Sequence, residues 1–130
     1  MPWQISRGAG CVTDIYHITR RSDWDRALSA GIYAADSLVT EGFIHCSTEA
    51  QVIATATRLF RGKQGLVLLC IEPGKVQAEI RYENLEGGVS LYPHVYGALE
   101  TGSIVEVREF PPGVDGRFEF PPAAENDGTR

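Results

Sequence analysis

The chain lacks the cysteine patterns that mark disulfide frameworks and structural zinc sites. Its three cysteines, Cys11, Cys46 and Cys70, contain no CxxC pair, and their odd number does not suit a set of disulfide bonds. Cys46 and Cys70 lie in apolar segments, so we interpret both as buried, reduced thiols.

Long apolar runs are also missing. No stretch approaches the ~20 residues that a transmembrane helix needs, and residues 1–10 contain no apolar core of signal-peptide length. We therefore expect no membrane association and a cytoplasmic location. The formal net charge of −5 argues against a dedicated nucleic-acid binder, which needs a basic face.

Common catalytic and phosphate-binding loops are absent as well. The sequence has no GxxxxGK[ST] or GxGxxG pattern, which argues against the best-known nucleotide loops. It has no GxSxG element, which argues against a serine hydrolase of the α/β type. Any nucleotide site must therefore be built in another way.

What remains is a chain of 130 residues, a length that suits one domain. We expect a flexible N-terminus at residues 1–11, a single domain at 12–120 and a polar, disordered tail at 121–130.

Two helices are predicted, both in the first half of the chain. The first begins near Ser22 and ends at Gly31, and the second begins with a capping box of Thr48 and Gln51 and runs to Phe60. Residues 66–71 form a continuous apolar run, which predicts a central, buried strand. The other predicted strands are residues 12–19, 32–34, 43–47, 76–83, 91–96, 104–110 and 117–120. Because strands and helices do not alternate regularly, the pattern favours an α+β fold.

The three histidines, His17, His45 and His94, each lie inside an apolar, strand-like segment. The alternation of side chains along a strand puts Thr19 on the face of His17, Ser47 on that of His45, and Tyr96 on that of His94. A buried polar ring without a partner costs roughly 1–3 kcal/mol. The histidines therefore indicate either separate, satisfied core residues or one shared cleft. A three-histidine metal site is a further alternative, although no HxH or HxxxH spacing supports it.

Arg81 and Glu83 lie on the polar face of the strand predicted for residues 76–83. This face is either simply solvated or part of a site. In the second case Arg81 would bind an anion, and Glu83 would act as a general base or stabilise a developing positive charge.

Four segments resemble, in order and spacing, the domain-of-unknown-function 952 family of bacteria and plants. They are IYHITRRSDWDRAL, GFIHCSTEAQV, RYENLEGG and LYPHVYGAL. The resemblance covers roughly residues 13–110. It implies an ADP-ribosyltransferase-like fold, a split antiparallel β-structure with two helices and a cleft for NAD. It also implies a distant similarity to RNA 2′-phosphotransferases and ADP-ribosyltransferases.

The resemblance implies roles for individual residues. His17 would contact a ribose of NAD, and His45 and Ser47 would lie along the cleft. Many such transferases use a late glutamate to stabilise the oxocarbenium-like ribose. Glu83 is the first candidate for that role here and Glu100 the second, although neither is a clear equivalent.

We therefore predict an enzyme or binding protein for a small nucleotide or metabolite. The predicted catalytic residues are Glu83 and His94. The residues predicted to bind NAD or an ADP-ribose-type nucleotide are His17, Thr19, His45, Ser47, Arg81 and Tyr96. The expected activity is that of a transferase or glycohydrolase. Two alternatives stay open: a non-catalytic domain that binds a metabolite or nucleotide, and a metal-dependent enzyme that uses the three histidines.

Overall fold

The computed structural model describes residues 14–84 and 88–122. Within them, the helices are α1 at Arg21–Ala30, α2 at Asp36–Thr40 and α3 at Glu49–Phe60. The strands in the same residues are β1 Ile15–Arg20, β2 Ile32–Tyr33, β3 Ile44–His45, β4 Ser47–Thr48, β5 Leu66–Ile71, β6 Glu79–Glu83, β7 Tyr92–Tyr96, β8 Leu99–Glu100 and β9 Ile104–Glu109. This mixture of helices and antiparallel strands confirms the α+β class.

The expected ADP-ribosyltransferase-like arrangement is not established by these elements and stays a prediction. The N-terminus predicted to be flexible, residues 1–11, lies outside the described residues. So does the tail predicted for residues 121–130, apart from residues 121 and 122.

The largest sheet has the strand order β4-β1-β5-β9, and its neighbours are antiparallel. All six residues of β5 are buried, which confirms the central strand predicted from the apolar run. Both faces of this sheet are covered by other elements, so the side chains on both faces of β5 are buried and its sequence does not alternate between apolar and polar residues.

Two apolar layers flank the largest sheet. On one face Leu68 packs in a cluster with Val52 and Ala56 of α3, which lie one helical turn apart. On the other face Leu69 belongs to a cluster with Val95 of β7. Helix α3 begins with the predicted capping box, since the backbone N–H of Thr48 donates to the Gln51 side chain over 2.9 Å.

A second sheet of three strands, β3-β7-β6, covers the inner face of the first. Its register places His94 opposite both His45 and Arg81, so these three side chains share one face. The alternate residues Ile44 and Val95 point into the core, where both are fully buried. A pair of short strands, β2 and β8, completes the fold.

The strand predicted for residues 43–47 is divided in the structure. The chain passes from one sheet to the other at Cys46, because β3 pairs with β7 whereas β4 pairs with β1. His45 and Ser47 therefore belong to different sheets, a switch that alternation along one strand does not reveal.

The structure contains one further helix and corrects two further predictions. Helix α2 was not predicted, because five residues are too short for a helical period to be recognised. The strand predicted for residues 117–120 is absent, and Phe118 instead buries its ring beside Phe110 without strand pairing. Helix α1 begins one residue before Ser22, and no side chain caps it. Gly31 ends that helix as predicted, with φ of 81°, a conformation that favours glycine.

None of the helices in residues 14–84 and 88–122 is long and apolar enough to cross a bilayer.

Candidate functional site

The site lies along one edge of β1. Strand β4 pairs only with Ile15 and Tyr16, so among the described strands none covers that edge of β1 beyond Tyr16. Two hollows adjoin this part of the strand, and both are lined by His17, Ile18 and Phe60. We call the smaller one, about 270 Å³, the histidine pocket, and the larger one, about 760 Å³, the lateral groove.

All three histidines line the histidine pocket. The predicted convergence of three separate strand segments is therefore present in the structure. His45 and His94 are cross-strand neighbours, with ring centroids 5.4 Å apart. Phe43 stacks on His94 at a centroid distance of 4.2 Å and meets His45 edge-on at 4.8 Å. These contacts hold both rings in defined positions.

His94 is oriented by a carboxylate. Its side chain is buried, and its Nδ1 lies 2.9 Å from Oε1 of Glu83, which also accepts a 2.6 Å hydrogen bond from the hydroxyl of Tyr96. The hydrogen bonds from Tyr96 and His94 lower the pKa of Glu83. Because an ionised carboxylate only accepts, Nδ1 carries the proton, and Nε2 is left for a ligand or a proton transfer.

His17 is fully engaged within the protein. Its Nδ1 donates to the carbonyl oxygen of His45 over 2.6 Å, and its Nε2 lies 2.8 Å from the hydroxyl of Tyr33. Burial lowers the pKa of His17 to about 4, so the ring is neutral and Nε2 accepts the Tyr33 proton. Burial also raises the pKa of Tyr33 to about 12, which keeps that proton in place. Tyr33 Oη lies a further 3.0 Å from Oγ1 of Thr19.

The contact of His17 with a ribose stays a prediction. The structure shows how the His17 ring itself is held. Neither ring nitrogen is free to bind a ligand unless an internal hydrogen bond is first broken. The ring ties β1 to β3 and to Tyr33, and so it fixes the wall between the pocket and the groove. Thr19 lines the groove, and Ser47 lines the pocket.

Arg81 and Tyr96 line neither hollow, and Glu83 reaches the pocket only through His94. One edge of the Arg81 guanidinium, Nε and Nη2, donates to both carboxylate oxygens of Glu79 over 3.0 and 3.1 Å, and its Cζ lies 4.6 Å from the centre of the Tyr96 ring. The anion-binding role predicted for Arg81 and the stacking role predicted for Tyr96 are untested. In this structure, however, both side chains already have partners: Arg81 binds Glu79, and Tyr96 donates to Glu83 and contacts Arg81.

Sequence reasoning missed Arg58, Thr55 and Tyr92, which all line the pocket. Arg58 is the charged residue of that lining, and it takes part in none of the ion pairs that join the described residues. Thr55 and Arg58 lie three residues apart on α3, so they share a face of the helix. These two polar residues follow a helical spacing next to the apolar face of α3, and that pattern indicates a polar side of the helix that could border a site.

Cys46, the cysteine that lines the pocket, is an unreactive thiol. Cys46 is buried and unpaired, and burial raises the pKa of its thiol, so the sulfur stays protonated. Cys70 is also buried, which confirms the interpretation of both residues as buried thiols. Cys11 lies outside the described residues.

The three histidines do not form the metal site considered as an alternative. Within residues 14–84 and 88–122, no group of three His, Cys, Asp or Glu side chains is placed to hold a metal ion. The physical reason is His17, whose two nitrogens are both committed to hydrogen bonds and which has no lone pair left for a cation.

Comparison with known proteins gives a family and a fold. A family model described as protein of unknown function (DUF952) matches residues 18–107. The crystal structure of protein CC0527 from Caulobacter crescentus is 31% identical, with a TM-score of 0.74 over 82% of this chain and 93% of that one. A double mutant of CC0527 gives the same values. The solution NMR structure of CC0527 is 32% identical, with a TM-score of 0.68 over 81% and 90% of the two chains. No curated protein matches.

Proposed function

We propose, for a chain that belongs to the DUF952 family of proteins of unknown function, that the histidine pocket binds and processes NAD or an ADP-ribose-type nucleotide. His94 is the general acid–base of this proposal. The observation that carries it is the oriented imidazole: His94 lines a pocket while its Nδ1 is held 2.9 Å from the Glu83 carboxylate.

An imidazole held in this way suits proton transfer. Nε2 of His94 accepts the proton of an attacking hydroxyl as the bond to the leaving group breaks, and the Glu83 carboxylate stabilises the imidazolium that forms. Glu83 then acts as a positioning residue rather than by contact with the ligand. Ser47 and His45 line the same pocket as His94, and in this proposal they contact hydroxyl groups of the ligand.

Size and lining support a nucleotide as the ligand. Ligand sites in proteins usually enclose roughly 300–1,000 Å³. The groove, at about 760 Å³, falls within that range, and the pocket, at about 270 Å³, lies just below it. Because His17, Ile18 and Phe60 line both hollows, we assign the two parts of an elongated ligand to the two adjacent hollows. Tyr16 and Tyr92 supply aromatic surface to the pocket.

Calorimetric titration with NAD and with ADP-ribose tests the binding, and chromatography of released nicotinamide tests the chemistry. His94→Gln is expected to lower turnover by about 10²- to 10⁴-fold, the usual contribution of a general acid–base. Glu79→Gln, on the same strand face as Glu83 but bound to Arg81, is the control and should leave turnover unchanged. Absence of binding of either nucleotide at millimolar concentration would overturn the proposal.

One observation favours a second candidate, a non-catalytic domain that binds the same class of ligand. No carboxylate is among the described residues that line the histidine pocket, and Glu83 lies behind His94. A ribose cation in the pocket would therefore have no carboxylate in direct contact with it. Nucleotide binding by the wild type without formation of any product would select this candidate.

A further inference from the structure

The histidine pocket is lined by hydrogen-bond donors and by one cation, Arg58, that forms no ion pair with another described residue. Arg58 reaches it from the last turn of α3, and within the described chain no carboxylate shares that lining. An arginine that is held near the C-terminus of a helix gains some stabilisation from the helix dipole. That role explains a cation on this turn, but it does not explain why the cation borders a pocket whose described lining residues include no carboxylate.

Ser47 and Thr55 bring hydroxyl groups to the same pocket. Oγ of Ser47 and Oγ1 of Thr55 are 3.5 Å apart, at the limit of a hydrogen bond, so their mutual bond is weak and their protons remain available. Thr55 lies one helical turn before Arg58, while Ser47 follows the point where the chain changes sheets. Hydroxyls around an arginine fork are a typical arrangement for an oxyanion with several peripheral oxygens.

The lateral groove differs from the pocket in charge. Two of its arginines, Arg20 and Arg26, are both bound to Asp23. A third cation, Lys63, and a second carboxylate, Asp36, also line the groove, so the groove presents negative as well as positive groups. In the pocket, the described lining residues include the cation Arg58 and no carboxylate. This contrast indicates that the anionic part of an elongated ligand belongs in the pocket and its less charged part in the groove.

We infer that the histidine pocket binds a phosphate group of its ligand, with Arg58 as the anchoring cation and Ser47 and Thr55 as hydroxyl donors. The phosphate then lies beside His94, and the rest of the ligand passes Phe60 into the groove. This inference deepens the proposed function, because it uses the same pocket and names the group that the pocket recognises.

The test titrates the full-length chain at low salt with inorganic phosphate, with pyrophosphate and with acetate. Arg58→Gln should weaken the binding of phosphate and pyrophosphate by about tenfold to a hundredfold, as expected for the loss of a charge-assisted hydrogen bond. Arg58→Lys, which keeps the charge but loses the fork, should fall between wild type and Arg58→Gln. Arg61→Gln, one turn further on and outside both hollows, removes the same charge and should bind like wild type.

Equal weakening in Arg58→Gln and Arg61→Gln overturns the inference, because it shows only a general charge effect. Acetate that binds as tightly as phosphate overturns the assignment of a phosphate. Phosphate binding that depends on Arg58, without binding of NAD or ADP-ribose, supports the inference and rejects the proposed function. Nucleotide binding that is unchanged in Arg58→Gln overturns the inference and supports the proposed function. Should Arg58→Gln fail to fold, Thr55→Val serves as the second variant, with a smaller loss of phosphate affinity expected.

Discussion

Acidification is expected to destabilise the protein through His17. Burial lowers the pKa of this ring from 6.5 to about 4. In the unfolded chain the ring takes up a proton as the pH falls below 6.5, whereas the folded ring stays neutral down to about pH 4. The stability tied to a neutral His17 is therefore complete above pH 6.5 and is lost as the pH falls from 6.5 towards 4.

The structure sets the size of this effect. The two pKa values correspond to a total loss of about 3 kcal/mol at strongly acidic pH, and to about 1 kcal/mol at about pH 5.5. The cause is local: a proton on Nε2 of His17 would displace the proton that Tyr33 donates and would put a charge between two sheets.

Urea denaturation followed by circular dichroism, at about pH 7.5 and about pH 5.5, measures this loss. The wild type should lose about 1 kcal/mol more than His17→Gln between these two pH values. Comparison within each variant removes the separate cost of the substitution. His45→Gln is the control, since the His45 side chain is 43% exposed and the variant keeps His17. Equal losses in wild type and His17→Gln would refute the reasoning.

Three more predictions concern the site and the core. Glu83→Gln should lower turnover about tenfold or more while ADP-ribose affinity stays constant, because the residue positions His94; an equal loss in Glu79→Gln would contradict that role. Gly97→Ala should cost about 1–3 kcal/mol in urea denaturation, because the new Cβ would lie 2.7 Å from Cβ of Ala78. The double variant with Ala78→Gly should recover part of this loss, and no recovery would argue against the clash. Leu69→Ala should cost about 2–5 kcal/mol in the same assay, since the side chain is fully buried; a loss below about 1 kcal/mol would mean that the core rearranges.

The candidate site could be predicted only in part. Each of the three histidines interrupts an apolar segment, which indicates a shared cleft, and the three side chains do meet in one pocket. The polar face of its strand predicts a role in the site for Arg81, but Glu79, two residues away, binds the guanidinium in a local ion pair. The alternation of side chains along a strand predicts the face on which a residue lies, but it does not predict which partner a long side chain binds.

The sequence by itself determined the local elements. Six consecutive apolar residues, with no polar residue between them, formed a strand that is buried on both faces. A capping box followed by apolar residues at helical spacing formed α3. These follow from the conformational and hydration preferences of neighbouring residues, which act within a few residues of the chain.

Only the tertiary structure decided which of these elements meet. The pairing of β4 with just two residues of β1 opened the strand edge, and the change of sheet at Cys46 brought His45 and Ser47 to one pocket from different sheets. Arg58 reached the same pocket from α3. Such contacts join residues far apart in the chain, and their free energy depends on the packing of whole layers, which no local pattern records.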